Sequence, residues 1–174
     1  MKRLLITFCC CVLLMVSGCQ KEVQVRFDSL YFFQNEEQLQ AMKIDTDQLA
    51  QYSRNLQARV GKIMKKAQVT PSNGYVVVAV RSDEEVAVWL DMEPALHEYY
   101  EYEIIESIKK MRPPAVDKGI LVFGIKMAIN KIEINTQVHT SKAIPEPKAW
   151  IDAKKKVGDP DDIEQVVLSI WPEE

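Results

Sequence analysis

Two histidines, four cysteines and a run of tyrosines set among acids are the residues of this 174-residue chain whose types could carry chemistry. His97-Glu98-Tyr99-Tyr100-Glu101 has the spacing of the zinc motif His-Glu-x-x-His, but Glu101 stands where the second imidazole belongs. A zinc site needs about three protein ligands. His97 and Glu101 at i, i+4 supply two, so no metal is expected and His97 reads as a first-turn helix residue at the surface. Asp159, Asp161 and Asp162 lack the spaced loop and terminal Glu of a calcium site. They read instead as helix-cap and first-turn acids. No Gly-x-Ser-x-Gly elbow, phosphate-binding glycine loop or dinucleotide fingerprint occurs. No cofactor and no catalytic residue is therefore expected. Carboxylates are plentiful enough to leave a glycosidase-type pair open by residue type, yet nothing singles one out. In the run from Glu98 to Glu103, Tyr100 fits an apolar helix stripe while Tyr99 and Tyr102 flank it. Exposed tyrosines among acids suit a protein-binding patch. The alternative is that their ring bodies cover the sheet with their hydroxyls in water.

The cysteines have a different meaning. Cys9, Cys10, Cys11 and Cys19 all lie in the first 19 residues. Met1-Lys2-Arg3 is basic, residues 4–16 are apolar except for Thr7, and Ser17-Gly18 are small. That order is the layout of a secretory signal peptide. The apolar stretch is shorter than the roughly 20 residues a bilayer span requires. Val16-Ser17-Gly18-Cys19 resembles the lipobox of bacterial lipoproteins. The resemblance implies cleavage before Cys19, a diacylglyceryl thioether on its sulfur and an acylated amine. The mature chain would then hold no free thiol, which excludes cysteine catalysis, cysteine metal sites and disulfides together. More than one acyl chain gives firm membrane attachment. By the sorting rule of enterobacterial lipoproteins, Gln20, where an Asp would favour the inner membrane, points to the inner leaflet of the outer membrane, facing the periplasm. Losing Lys2 and Arg3 lowers the basic count from 22 to 20 against 25 acids, a formal charge of −5. That balance argues against a nucleic-acid partner. With 47% hydrophobic and 27% charged residues the chain is an ordinary globular sequence, neither collagen-like nor wholly disordered.

The elements that must position these residues are legible from periodicity. Val23, Val25 and Phe27 alternate as a short strand, with Leu30-Tyr31-Phe32-Phe33 extending its apolar content. Asn35 with Gln38 reads as a capping box for a short helix. Leu49, Tyr52, Leu56, Val60, Ile63 and Met64 recur at helical spacing after a start near Asp45 or Thr46. Pro71-Ser72-Asn73-Gly74 reads as a turn. Residues 75–80 and 86–90 form a hairpin about a polar turn. Pro94 is expected to open a helix carrying Leu96, Tyr100, Ile104, Ile105, Ile108 and Met111, stopped by Pro113-Pro114. Lys109, Lys110 and Arg112 suit its C-terminal dipole. Leu121, Phe123, Ile125, Met127 and Ile129 fall on one face of a strand, while Gly124, Lys126 and Asn130 mark a wetter one. The alternation slips phase at Asn130-Lys131, which predicts a bulge or turn. Asp159 and Pro160 are expected to cap and open a last helix bearing Ile163, Val166, Val167 and Ile170.

Helix, Thr70-Pro71 and Gly74, hairpin, Pro94-Ala95-Leu96, helix, Pro113-Pro114, Gly119 and a long alternating strand come in an order that resembles the C-terminal domain of the TonB and TolA superfamily. The match covers roughly 80 residues. It implies an α+β fold: a small antiparallel sheet with helices packed mainly on one face, here followed by a helical C-terminal tail. The expected division is 1–18 signal peptide, 19–35 anchored segment with a short strand, 36–142 TonB-like domain and 143–174 tail. The family's inner-membrane helix and long Pro-rich spacer are missing. A tether from Cys19 to Asn35 reaches only about 55 Å. The expected function is a non-enzymatic adaptor. It would be held to the membrane through Cys19 and bind an envelope protein of unknown identity, since TonB-like domains pair strands with partner segments. Lys131, Glu133 and Asn135 on a weakly apolar stretch, with Tyr99 and Tyr102, are the partner-binding candidates. The alternatives are an assembly or pilotin-type lipoprotein and, from another class, a peptidoglycan-acting enzyme using carboxylates.

Overall fold

The computed structural model describes residues 23–65, 67, 69–130 and 146–172. They form an α+β unit of β1 (Val25–Phe32), α1 (Glu36–Ala41), α2 (Thr46–Met64), β2 (Ser72–Arg81), β3 (Val86–Glu93), α3 (Glu98–Lys109), β4 (Ile120–Ile129), α4 (Trp150–Lys154) and α5 (Ile163–Ser169). The described strands make one antiparallel sheet in the order β1-β4-β2-β3. β4 therefore lies in the middle of the sheet, and each of its ten residues is buried.

Period-two alternation sorts the strand side chains into two cores. Leu121, Phe123, Ile125, Met127 and Ile129 of β4 join Val76, Val78 and Val80 of β2 beneath α2 and α3. Ile120 and Val122 join Val77, Ala79 and Ala87 on the opposite side, under Trp150, Ala153, Ile163, Val166 and Val167. The two long helices thus share one face, as expected. The C-terminal tail is more than an appendage, because α4 and α5 close the second face. Its anchor is the fully buried Trp150, with ring centroids 5.0 Å from Phe33 and 5.3 Å from Trp89. A one-residue bulge in β1 keeps both of its halves on the helix side. Phe27 pairs with Met127 and Leu30 with Ile125, so three steps on β1 match two on β4. Without the extra residue, Leu30 and Phe32 would point to the opposite face.

Local signals for the helices hold where a side chain can satisfy a free backbone N–H. Asn35 and Gln38 form the capping box of α1. Asp45 caps α2 by accepting from the Asp47 and Gln48 amides.

Four expectations are corrected. Ser72, Asn73 and Gly74 are strand, because β4 pairs with all three and β3 with Asn73 and Gly74, and ladder bonds outweigh local turn preference. Pro94 does not open α3. The chain runs from β3 through Pro94-Ala95-Leu96, and α3 begins at Glu98 with His97 as its N-cap. Asp162, not Asp159, caps α5, accepting from the Glu164 and Gln165 amides, while Asp159 accepts from Asp161 in the preceding turn. Lys126 is only 7% exposed, since it lies on β4, which β1 and β2 flank on both sides. The phase slip falls where β4 ends: Asn130 has φ +52° and its side chain accepts from the Gln24 amide.

Candidate functional site

Three surfaces could engage a ligand or partner. The first is a cavity of about 430 Å³ beside α2, lined by Asp47, Gln48, Gln51, Tyr52, Asn55, Arg112, Pro113 and Pro114. Gln48, Gln51, Tyr52 and Asn55 share one helix face at i, i+3, i+4 and i+7. The opposite wall is the segment that stops α3. It is tied to α2 by the Ala115 amide donating to Gln48 Oε1 at 3.3 Å. The amides of α2 are organised among themselves: Gln48 Nε2 donates to Asp45 at 3.0 Å, Gln51 Nε2 to Asn55 Oδ1 at 2.9 Å, and Arg54 to Gln51 Oε1 at 2.9 Å. Tyr52 is 3% exposed and packs edge-on against Phe123, with ring centroids 6.1 Å apart. Its hydroxyl is buried and has no hydrogen-bond partner among the described residues. Burial pushes the phenol well above its ordinary pKa, an effect only partly offset by the positive charge of Arg59, so the group stays a neutral donor. Asp47 and Arg112 carry opposite charges on this cavity, and neither forms an ion pair among the described residues.

The second surface is the outward side of α3. Tyr99 and Tyr102 are 58% and 62% exposed. They lie three residues apart on one helix face, while Ile104 and Ile108 take the buried side. His97 Nδ1 accepts from the Tyr99 amide at 3.2 Å, so this imidazole closes a helix end. Glu101 faces a separate small cavity of about 150 Å³ with Asp91 and Lys148. Lys148 clips the tail onto β3: its backbone amide donates to Asp91 at 2.7 Å and its ammonium lies 3.2 Å from the same carboxylate. Among the described residues no three His, Cys, Asp or Glu side chains gather as a metal set.

The third surface is the outer edge of β3. β2 pairs with one side of β3, and no described strand pairs with the other. The Arg81 amide donates to the Glu85 carbonyl at 3.0 Å, which fixes the hydrogen-bonding phase of the hairpin. Alternating from there, Ala87, Trp89 and Asp91 bond to β2, while Val86, Val88, Leu90 and Met92 turn their N–H and C=O groups outward. α3 packs against β3, so the tyrosine-bearing helix and this edge belong to adjoining elements.

Cys19, Lys131, Glu133 and Asn135 lie outside the described residues, as does His139. Tyr99 and Tyr102 are both exposed on α3, three residues apart. The structure adds a cavity that sequence reading missed, because Tyr52 fits an apolar stripe and Gln48, Gln51 and Asn55 look like any solvated helix face. Among the described residues no helix is long and apolar enough to cross a membrane. No protein-family model matches the chain, and neither a curated protein nor a solved structure matches it.

Proposed function

We propose that this chain is a non-catalytic adaptor of the bacterial envelope, lipid-anchored at Cys19, facing the periplasm and binding a protein partner by strand addition. The lipobox-like Val16-Ser17-Gly18-Cys19 supports the anchor. The single observation that supports the binding mode is the outer edge of β3, where no described strand pairs and the part-exposed Val86 and Leu90 turn their backbone groups outward, while Val88 and Met92 of the same phase are buried. Charged residues border this edge: Arg81 and Glu85 form an ion pair at one end, and Asp91 and Glu93 lie at the other. Such flanking charges discourage indiscriminate pairing and favour a partner segment with complementary ends. The exposed Tyr99 and Tyr102 on neighbouring α3 supply rigid aromatic area beside it.

The test is site-specific photocrosslinking in intact envelopes from Glu85 and Glu93, with Glu37 on α1 as the remote control. Crosslinks from the two β3 positions, absent from Glu37, are expected. Leu90→Pro deletes an outward N–H without touching the β2 ladder, and should abolish those crosslinks in protein that still melts cooperatively. Folded Leu90→Pro protein that crosslinks at full yield would sink the strand-addition reading.

A further inference from the structure

We infer that the cavity between α2 and the Pro113-Pro114 segment is a binding site for a small zwitterion, an amino acid or a very short peptide with both termini free. Three independent observations meet there. The hydroxyl of Tyr52 is buried without a partner among the described residues, and a buried polar group of this kind is normally satisfied by protein, water or ligand. Asp47 and Arg112 offer one negative and one positive charge to the same space while bonding to no other charged group among the described residues. The volume of about 430 Å³ is at the small end of the range of roughly 300–1,000 Å³ typical of small-molecule sites, too little for a folded partner.

The chemistry divides by position. Arg112 presents a fork of donors suited to a carboxylate, and the neutral phenol of Tyr52, whose hydroxyl is closed off in this structure, is a further donor once the lining shifts to uncover it. Asp47, an acceptor only, suits an ammonium group. Asn55 accepts from Gln51 through Oδ1, which leaves its Nδ2 donors for a ligand carbonyl. Pro113 and Pro114 form an apolar wall for a side chain or methylene. Side-chain hydrogen bonds pre-position the amides: Gln48 is held by Asp45 and by Ala115, and Gln51 by Asn55 and Arg54. The site is on α2, whereas the proposed strand-addition edge is on β3, so either reading can fail without the other.

The test is calorimetric titration of the full chain with alanylalanine, its N-acetylated form, its C-amidated form and free alanine. Alanylalanine should bind, and blocking either end should weaken binding by about tenfold to a hundredfold, the range for losing a charge-assisted hydrogen bond. Arg112→Gln should erase the penalty for C-amidation and Asp47→Asn that for N-acetylation. Tyr52→Phe should bind alanylalanine about tenfold more weakly. Its unliganded melting temperature should be equal or higher, because an unsatisfied hydroxyl has been removed. Alanine binding as well as the dipeptide would assign the site to free amino acids, and weaker alanine binding to peptide ends; both outcomes support the inference. It is overturned if neither alanine nor alanylalanine binds, if blocked and free peptides bind alike, or if Arg112→Gln and Tyr52→Phe bind as the unaltered chain does.

Discussion

Trp150→Ala should destabilise the whole domain, although Trp150 lies in the tail. Its side chain is completely buried and fills the space between Phe33 and Trp89 on the second face of the sheet. Removing a buried tryptophan to alanine typically costs about 3–5 kcal/mol. One feature offsets this: the indole Nε1–H of Trp150 is buried with no partner among the described residues, and relieving such a group returns about 1–3 kcal/mol. The difference spans about 0–4 kcal/mol and centres on about 2 kcal/mol, and at roughly 2–4 °C per kcal/mol the melting temperature should fall by about 4–8 °C. Trp150→Phe keeps the aromatic contacts and deletes the unsatisfied donor, so it should stay within about 1 kcal/mol of the parent. Thermal unfolding followed by far-ultraviolet circular dichroism reads both without relying on tryptophan emission. A melting temperature for Trp150→Ala within about 2 °C of the parent would refute the claim that the tail completes a core. Equal damage from Phe and Ala would show that the indole N–H matters and has a partner in solution.

Other perturbations test other layers of the structure. Gly124→Ala should be strongly destabilising, because a Cβ there would overlap the Tyr31 ring; adding Tyr31→Ala should recover part of the loss, a non-additivity visible in a double-mutant thermal cycle. Asp45→Ala and Asp162→Ala each remove the acceptor for two helix amides and should each cost about 0.5–2 kcal/mol in urea unfolding. Phe123→Ala, which empties the core under Tyr52, should cost about 3–5 kcal/mol by the same measurement. Cys19→Ser should abolish metabolic lipid labelling and release the protein from the membrane fraction; unchanged labelling would end the lipoprotein proposal.

The apolar periodicities were enough to place α2, the β2–β3 hairpin, the apolar face of α3 and the helix-facing side of β4. In each of these a single face must be dry, so the sequence has to repeat at 3.6 or at 2 residues. The α+β class followed from their order, and the cap at Asn35 was legible because it acts over three residues, whereas near Asp45 only a helix start was legible. Strand order was not legible, since local sequence carries no term for which neighbour a strand will find. The central place of β4 is what buries Lys126 and makes strand of Ser72, Asn73 and Gly74. The role of the tail was equally hidden. Trp150 and the stripe of Ile163, Val166 and Val167 announce an apolar face, but only the fold decides that it meets Val77, Ala79 and Val122. The cavity at Tyr52 depends on two segments some sixty residues apart, α2 and Pro113-Pro114, being tied together by one amide to Gln48. Its residues have unremarkable types and spacing along the chain, and only tertiary contact leaves a tyrosine hydroxyl buried without a partner among the described residues.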